Sequence, residues 1–263
     1  MRKITLNIAE LKFSFSFDSF PSDFAERFKE RYKPFFSSFS EGNFVKVCFS
    51  NDVFKLKDGV DMEEKNFLTI VRKDFLFKAD KKSKKLLIKP DIYSFDSFLR
   101  VYVSYLLNCG DGFLIHSSGF NYKDKAFIFI GKSGAGKTTV AKIFSKFNIL
   151  SDELVALRML GGKFFAFSTP FWGEMKNEGK NLKSKLKKIF FIKKHTDNRE
   201  IGIRKKEALL KILRCVMNFS KEKEALKKIA NKAVFLAEVD SSALFFPKSE
   251  SLIDYFRVKS YIK

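Results

Sequence analysis

Cysteine is scarce in this chain, which has three: Cys48, Cys109 and Cys215. They lie far apart and in no paired spacing, which argues against a disulfide framework and against a structural zinc site. No uninterrupted apolar stretch approaches the roughly 18 residues that a membrane span requires. The basic start at Arg2 and Lys3 is not followed by the apolar run of a signal peptide. We therefore expect a cytoplasmic protein without a membrane span.

Acidic residues are few relative to basic ones. The 263 residues include 51 Lys and Arg against 30 Asp and Glu, a formal net charge of +21. Such an excess is typical of nucleic-acid-binding proteins, but only ten of the basic residues are arginine, the side chain that base-edge recognition favours. The excess is spread over the whole chain, and 34 Phe accompany it. We therefore favour a compositional bias of the source over a nucleic-acid partner.

The most informative stretch runs from Gly131 to Thr138 and reads Gly-Lys-Ser-Gly-Ala-Gly-Lys-Thr, between an apolar run that predicts a strand (126–130) and a predicted helix (139–144). Its glycines let backbone N–H groups turn inward, so that these groups and the positive end of the helix can surround a polyphosphate. Lys137 would then reach the β- and γ-phosphates of ATP, and the Thr138 hydroxyl would bind Mg²⁺. The alternative is a tight turn without a ligand. The predicted cofactor-binding residues are Gly131, Ser133, Gly134, Ala135, Gly136, Lys137, Thr138 and Thr139.

A pair of acids follows a second short strand soon after this loop. Apolar residues at 147–150 predict the strand, and Asp152 and Glu153 come directly after it. The spacing from Lys137 leaves room for one helix, so the strand would bring both carboxylates back beside the loop. There one can bind metal while the other takes a proton from an attacking hydroxyl. The alternative is a surface turn; a rival acidic segment at 234–240 is better interpreted as helix.

His116 ends an apolar stretch at residues 112–116 that predicts a strand beside the one entering the loop. If it faces the γ-phosphate, it would stabilise the charge that builds up during phosphoryl transfer. The alternative is a hydrogen-bonded core histidine. The candidate catalytic residues are Asp152, His116 and Lys137. The candidate metal ligands are Thr138 and Glu153.

Three blocks of sequence share an order and a spacing that are far more specific than the loop alone: residues 114–119, 129–138 and 150–157. Together they resemble the catalytic core of the HPr kinase/phosphorylase family, which is related in fold to the phosphoenolpyruvate carboxykinases. Residues 168–174 and 182–192 also resemble segments of the shorter, HPr-kinase-like branch.

The resemblance implies that Lys137 and Thr138 contact phosphate and Mg²⁺, that Asp152 is the acid/base facing the substrate hydroxyl, that Glu153 helps hold the metal, and that His116 lies near the transferred phosphate. The family commonly has two aspartates where this chain has Asp152 and Glu153. The docking segment and the amino-terminal domain of the HPr-modifying enzymes are not recognisable here. HPr itself is therefore not the expected substrate.

Two regions are expected. Residues 1–93 alternate short apolar runs with polar breaks and predict a sheet-rich amino-terminal region. Residues 94–263 form the predicted HPr-kinase-like nucleotide-binding domain, entered through a helix at 96–107 and containing further helices at 207–217 and 221–239. The predicted fold class is α/β (mixed α+β) with a phosphoenolpyruvate carboxykinase-like P-loop core. A homo-oligomer is compatible with this organisation.

The leading functional hypothesis is an ATP-dependent phosphotransferase that uses Mg²⁺ and acts on a hydroxyl, a serine above all, of a protein, a peptide or a small molecule. A second hypothesis is a nucleotide-sensing module that docks onto a partner without fast chemistry. A third, an RNA-binding ATPase, depends on charge alone.

Overall fold

The computed structural model describes residues 2–39, 42–52, 54, 58–175 and 180–263. The chain has a mixed α/β fold with two mixed sheets, one of seven strands and one of eight. Within the described part of the chain, no helix has both the length and the apolar character needed to cross a membrane.

The chain divides into two compact units. The first comprises Met1–Leu106 and Asn218–Leu226, and the second comprises Leu107–Met217 and Lys227–Lys263. The predicted boundary follows residue 93, whereas the two units divide near the end of the helix Ile92–Cys109. The physical reason is that this helix packs its aromatic side chains on the first sheet.

The first unit is built on the seven-stranded sheet, and its helices cover one face. The elements are β1 (Arg2–Ile8), β2 (Leu11–Phe17), α1 (Ser22–Tyr32), a 3₁₀ turn (Lys33–Phe35), β3 (Asn43–Phe49), β4 (Asp61–Glu64), β5 (Leu68–Arg72), β6 (Phe75–Ala79), β7 (Lys84–Ile88) and α2 (Ile92–Cys109). The strand order is β1-β2-β3-β7-β6-β5-β4.

Period-two alternation gives this sheet one apolar face. Along β2, phenylalanines at alternate positions are fully buried, and α1 and α2 present aromatic side chains at three- and four-residue steps toward them. Ring pairs join the layers, such as Phe15 with Phe95 at 5.1 Å between centroids and Phe77 with Tyr102 at 4.8 Å. Many of the chain's phenylalanines therefore lie in this core.

The second unit contains the eight-stranded sheet. Its elements are β8 (Gly112–Tyr122), β9 (Lys125–Ile130), α3 (Lys137–Ile143), β10 (Asn148–Ser151), β11 (Leu154–Leu160), β12 (Lys163–Phe167), β13 (Lys183–Lys194), β14 (Arg199–Gly202), α4 (Lys205–Leu213), β15 (Ser241–Phe246) and α6 (Ser251–Val258). Helix α5 (Lys223–Leu236) follows α4 in the chain, and its first residues belong to the first unit.

Strand pairing in the second unit closes a circuit, because β8 pairs with both β9 and β11, β11 with β12, β12 with β13, and β13 with β9. One core cluster lies on the inner face of these strands with side chains of α4 and α5. A second cluster lies on the opposite face, where α3 and α6 pack on Phe120, Phe127 and Phe129. The loop between β9 and α3 thus passes from the sheet onto its outer face.

Most of the elements predicted from local pattern are confirmed. The apolar alternation of the predicted sheet-rich region corresponds to β1, β2, β3, β5, β6 and β7, and helix α1 begins at Ser22. Strand β8 is longer than the predicted strand at 112–116 and turns into β9 through Lys123 and Asp124, both at positive φ. Local pattern did not predict helix α6 or the strands β4, β11, β12, β14 and β15.

Candidate phosphate-binding site

The loop between β9 and α3 contains glycine for steric reasons. Gly134 has φ +76° and Gly136 has φ +107°, a conformation that residues with a Cβ rarely adopt. A Cβ on Gly131 would lie 2.7 Å from the Cβ of Ala135, and one on Gly136 would lie 2.9 Å from Cζ of Phe246. The backbone can therefore follow this path only with glycine at these positions.

Lys137 begins α3 and turns its side chain back into the loop. Lys137 is buried as a residue, and its ammonium donates hydrogen bonds to the carbonyl oxygens of Gly131 at 2.9 Å and Lys132 at 3.2 Å. Desolvation by burial lowers the pKa of Lys137, while Cys215 and Glu153 act in the opposite direction. The loop is therefore wrapped around a cation whose hydrogen-bond acceptors, among the described residues, are neutral carbonyl oxygens.

The backbone donors at the start of α3 are oriented by the same turn. The first hydrogen bond of the helical ladder runs from the N–H of Val140 to the carbonyl of Gly136. The N–H groups of Lys137, Thr138 and Thr139 precede it and have no acceptor within the helix. Thr138 and Thr139 are half-buried. Together with the ammonium, these donors form a concentration of positive charge suited to phosphate oxygens.

Strand register brings the acidic turn to the level of the loop entrance. Ser117 of β8 pairs with Ile130, the last residue before the loop, and its N–H donates to the carbonyl of Glu153 at 2.9 Å. Glu153 and Ile130 thus flank Ser117 on opposite sides, and their backbones are two strand spacings, roughly 10 Å, apart. The electrostatic effect of Glu153 on Lys137 agrees with this placement.

The turn that carries Asp152 and Glu153 is held by a serine. The Ser151 hydroxyl accepts the N–H groups of Glu153 at 3.1 Å and Leu154 at 3.0 Å and donates to the carbonyl of Phe171 at 2.8 Å. A serine that bonds to nearby backbone groups in this way reverses the chain without a glycine. The two acids are therefore presented at a fixed bend between β10 and β11.

Asp152 is buried, and its carboxylate organises a second turn. Oδ1 accepts the N–H of Gly173 at 2.8 Å, and Oδ2 accepts the N–H groups of Glu174 and Met175, both at 3.0 Å. A Cβ on Gly173 would lie 3.3 Å from Oδ2 of Asp152 and 3.6 Å from Oε2 of Glu153. The turn at residues 173–175 therefore lies against both carboxylates.

His116 lies at the point where β8 exchanges one neighbour for another. It pairs with Leu154 of β11, and its N–H donates to the carbonyl of Cys215 at 2.8 Å. Because Phe113 and Ile115 belong to the inner cluster, alternation turns His116 to the outer face, on which α3 packs. The structure thus places His116, the loop helix and the acidic turn on or beside one region of the sheet.

The segment at Cys215 corrects the predicted helix at 207–217, which is wrong at its end. Helix α4 ends at Leu213, and Met217 donates its N–H to the carbonyl of Leu114. The segment takes the position beside β8 that β9 leaves when the chain turns into the loop. Burial raises the pKa of the Cys215 thiol, and Lys137 opposes this effect. An isolated cysteine in an apolar run gave no signal of this position.

No protein-family model fits the chain, and no curated protein is significantly similar to it in sequence. What each residue of the site can do therefore follows from its position and contacts.

The donor set suits an anion together with a hard cation. No group of three or more His, Cys, Asp or Glu side chains able to hold a metal occurs among the described residues. A metal ion at this site would therefore take part of its shell from a bound phosphate and from water, which is the habit of Mg²⁺. The Thr138 hydroxyl and the Glu153 carboxylate are oxygen ligands of the required kind, so the residues present fit Mg²⁺.

Proposed function

We propose that the second unit binds Mg·ATP at the loop Gly131–Thr138 and transfers the γ-phosphate to a hydroxyl group, in a phosphoenolpyruvate carboxykinase-like core of the HPr kinase/phosphorylase type. The observation that carries this proposal is the row formed by Ile130, Ser117 and Glu153. It brings the glycine-rich loop and the acidic turn to the same level of one sheet. A hydroxyl between them would meet a donor of phosphate and an acceptor of protons.

Nucleotide binding would exchange the partners of Lys137. Its ammonium would leave the carbonyl oxygens of Gly131 and Lys132 for the β- and γ-phosphate oxygens, which are charged and therefore stronger acceptors. Thr138 and Glu153 would hold the metal on the side of the acidic turn. Bound Mg²⁺ supplies further neutralisation of the phosphate charge.

Asp152 would take the proton of the acceptor hydroxyl at Oδ1. An ionised carboxylate offers about four lone pairs, and three of those on Asp152 are engaged by the N–H groups of Gly173, Glu174 and Met175. The remaining lone pair is on Oδ1, which accepts only one of these bonds. As the O–H bond breaks, the oxygen forms its bond to the γ-phosphorus and ADP leaves with the electron pair. His116, on the outer face, would stabilise charge on the transferred group.

The single tryptophan of the chain, Trp172, allows a direct test because it precedes the turn that Asp152 holds. Titration of the protein with Mg·ATP should change its fluorescence with saturation. Asp152→Asn should keep ATP affinity within a few-fold but lower phosphate transfer by a factor of about 10² or more, since proton acceptance contributes 10²–10⁴. Transfer would be measured with γ-labelled ATP, using free serine and a lysate of the source organism as acceptors.

The matched control is Asp124→Asn, which removes an exposed carboxylate from the β8–β9 turn. It should change neither affinity nor transfer. Wild-type protein that shows no complex with Mg·ATP at millimolar concentration would end the proposal.

A nucleotide-sensing module is the second candidate, and the three hydrogen bonds from residues 173–175 to Asp152 favour it. Through them, a change at the acidic turn would move an exposed segment that a partner could read. A sensor should give the Trp172 response to Mg·ATP while wild type and Asp152→Asn both show no transfer. Equal, low transfer in the two proteins would therefore replace the kinase proposal with this one.

A further inference from the structure

The outer face of the seven-stranded sheet carries a row of lysines that the sequence does not reveal. Lys46 of β3 pairs directly with Lys85 of β7, and Lys85 pairs with Lys78 of β6. On the other side, Lys46 pairs with Ser16, which pairs with Lys3 of β1. Neighbouring positions in such a row are separated by about 5 Å. Lysines that are spread along the sequence are thus concentrated on one face of this sheet.

This row is electrostatically unfavourable in the free protein, because like charges directly opposite each other on neighbouring strands destabilise a sheet. Lys78 and Lys85 are exposed and have no carboxylate partner within the described ranges, while Lys46 lies 3.6 Å from Asp18. The carboxylates Asp61 and Glu63 lie on β4, two strands beyond β6. A polyanion placed along the row would replace repulsion with attraction.

An aromatic side chain stands on the same face. Phe44 precedes Lys46 by two positions on β3, so both side chains point outward. Phe44 is 49% exposed, although Ser14, with which it pairs on β2, is buried. A phenylalanine that stays exposed in a sheet leaves apolar surface in water, which a polar residue at the same position would not do. The ring therefore offers a flat apolar surface next to cationic groups.

We propose that this lysine face, defined by Lys3, Lys46, Lys78, Lys85 and Phe44, binds single-stranded nucleic acid without sequence preference. Lysine ammonium groups would contact consecutive phosphates, and an unstacked base would lie on the Phe44 ring. Basic surfaces with exposed aromatic side chains recognise single strands in this way, because every base has a face that can stack. Lysine in place of arginine supplies point charges and no base-edge recognition.

The aromatic ring favours a nucleic acid over other polyanions. An acidic peptide would satisfy the lysines but has no obligatory ring to place on Phe44. An anionic membrane would require a larger apolar surface to insert than one half-exposed ring. Both remain as distinguishable outcomes of the experiment.

The first test is the salt dependence of binding to a fluorescent 12-nucleotide oligo(U), followed by anisotropy. The triple variant Lys46→Gln/Lys78→Gln/Lys85→Gln should weaken binding at least tenfold at low salt. It should also make the slope of log K against log salt shallower by about 2, since each phosphate contact contributes roughly 0.7 in single strands. The charge-matched control replaces three exposed lysines of α4 and α5: Lys206→Gln/Lys227→Gln/Lys228→Gln. It should leave the slope unchanged within 0.5.

The second test removes the ring alone. Phe44→Leu should weaken oligo(U) binding roughly tenfold without changing the salt slope, because base–aromatic stacking contributes independently of charge. The same variant should bind poly-glutamate, and vesicles with one third anionic lipid, as wild type does. The proposal would be overturned in favour of non-specific charge attraction if the two triple variants lost the same affinity for oligo(U), or if Phe44→Leu bound every ligand as wild type does. Tighter binding of poly-glutamate or vesicles than of oligo(U) would assign the face to that partner.

A third measurement needs no variant and is therefore independent of folding. Bound oligo(U) should slow acetylation of Lys46, Lys78 and Lys85 by an amine-reactive reagent at least fivefold, while Lys206 and Lys228 react at the rate of the free protein. If oligo(U) at saturation slowed all five lysines by the same factor, or slowed none of them, the proposal would be contradicted.

Discussion

Lys137→Met should remove most of the affinity for Mg·ATP while leaving the fold intact. The ammonium of Lys137 is satisfied in the free protein by two neutral acceptors, the carbonyls of Gly131 and Lys132. Binding therefore gains only the difference between two charged and two neutral acceptors. With about 3 kcal/mol for a hydrogen bond between the ammonium and an ionised oxygen and about 1.5 kcal/mol for one between the ammonium and a neutral carbonyl, the difference is about 3 kcal/mol for two bonds. This predicts a roughly hundredfold rise in Kd.

The fold should survive because the two carbonyls lie at the mouth of the loop, where Lys132 is exposed and water can replace the ammonium. The titration would use Trp172 fluorescence, with calorimetry as an independent measure. Thermal melting would confirm that Lys137→Met and wild type unfold within a few degrees of each other.

Lys132→Met is the matched control, because Lys132 is in the same loop but has an exposed side chain. It should change Kd less than threefold. The reasoning would be refuted if both variants lost affinity equally, since the loop would then act through its overall charge, or if Lys137→Met bound Mg·ATP as tightly as wild type.

Two stability predictions follow from close contacts in the second unit. Gly136→Ala should lower the free energy of unfolding by about 3 kcal/mol, because this position combines a positive φ with a contact of 2.9 Å from the added Cβ to Phe246. Gly134 also has a positive φ but has open space around it, so Gly134→Ala should cost about 1 kcal/mol. Urea unfolding that found Gly134→Ala the more destabilising of the two variants would contradict this reasoning. Lys232→Met should cost about 2 kcal/mol at pH 7, since the three N–H donors of the buried ammonium lie among four backbone carbonyl oxygens at 2.7 to 3.1 Å. Burial lowers the pKa of Lys232 to about 8 from the ordinary 10.5, so between these values the unfolded state binds more protons, and stability should rise with pH in wild type but not in the methionine variant.

Local pattern was sufficient for the elements that frame the loop. The apolar run before Gly131 and the amphipathic residues after Thr138 predict β9 and α3 because each element's period is written in consecutive residues. The same holds for the alternating strands of the first sheet. Steric requirements also made the glycines recognisable, since their positions follow from the turn itself.

Pairing between distant strands could not be predicted in this way. Strand β13 pairs with β9 in parallel from Lys185 to Phe191, and nothing in either segment specifies that partner or that register. The segment at Cys215 was predicted as helix because its apolar spacing continues that of α4, yet hydrogen bonding to β8 prevails there. The lysine row on the first sheet was hidden for the same reason, because its four lysines come from four different strands.

The two adjacent acids show how such distant contacts divide a site between neighbouring residues. Asp152 and Glu153 are indistinguishable to a sequence pattern that asks only for acids after a strand. In the structure, Asp152 directs its oxygens to three N–H groups from residues 173–175, whereas Glu153 acts on the charge of Lys137. The shorter side chain fits the buried turn, and the longer one can reach the loop from a backbone position two strands away. This geometry therefore favours a shorter acid, which fixes a turn, next to a longer acid, which acts on a cation.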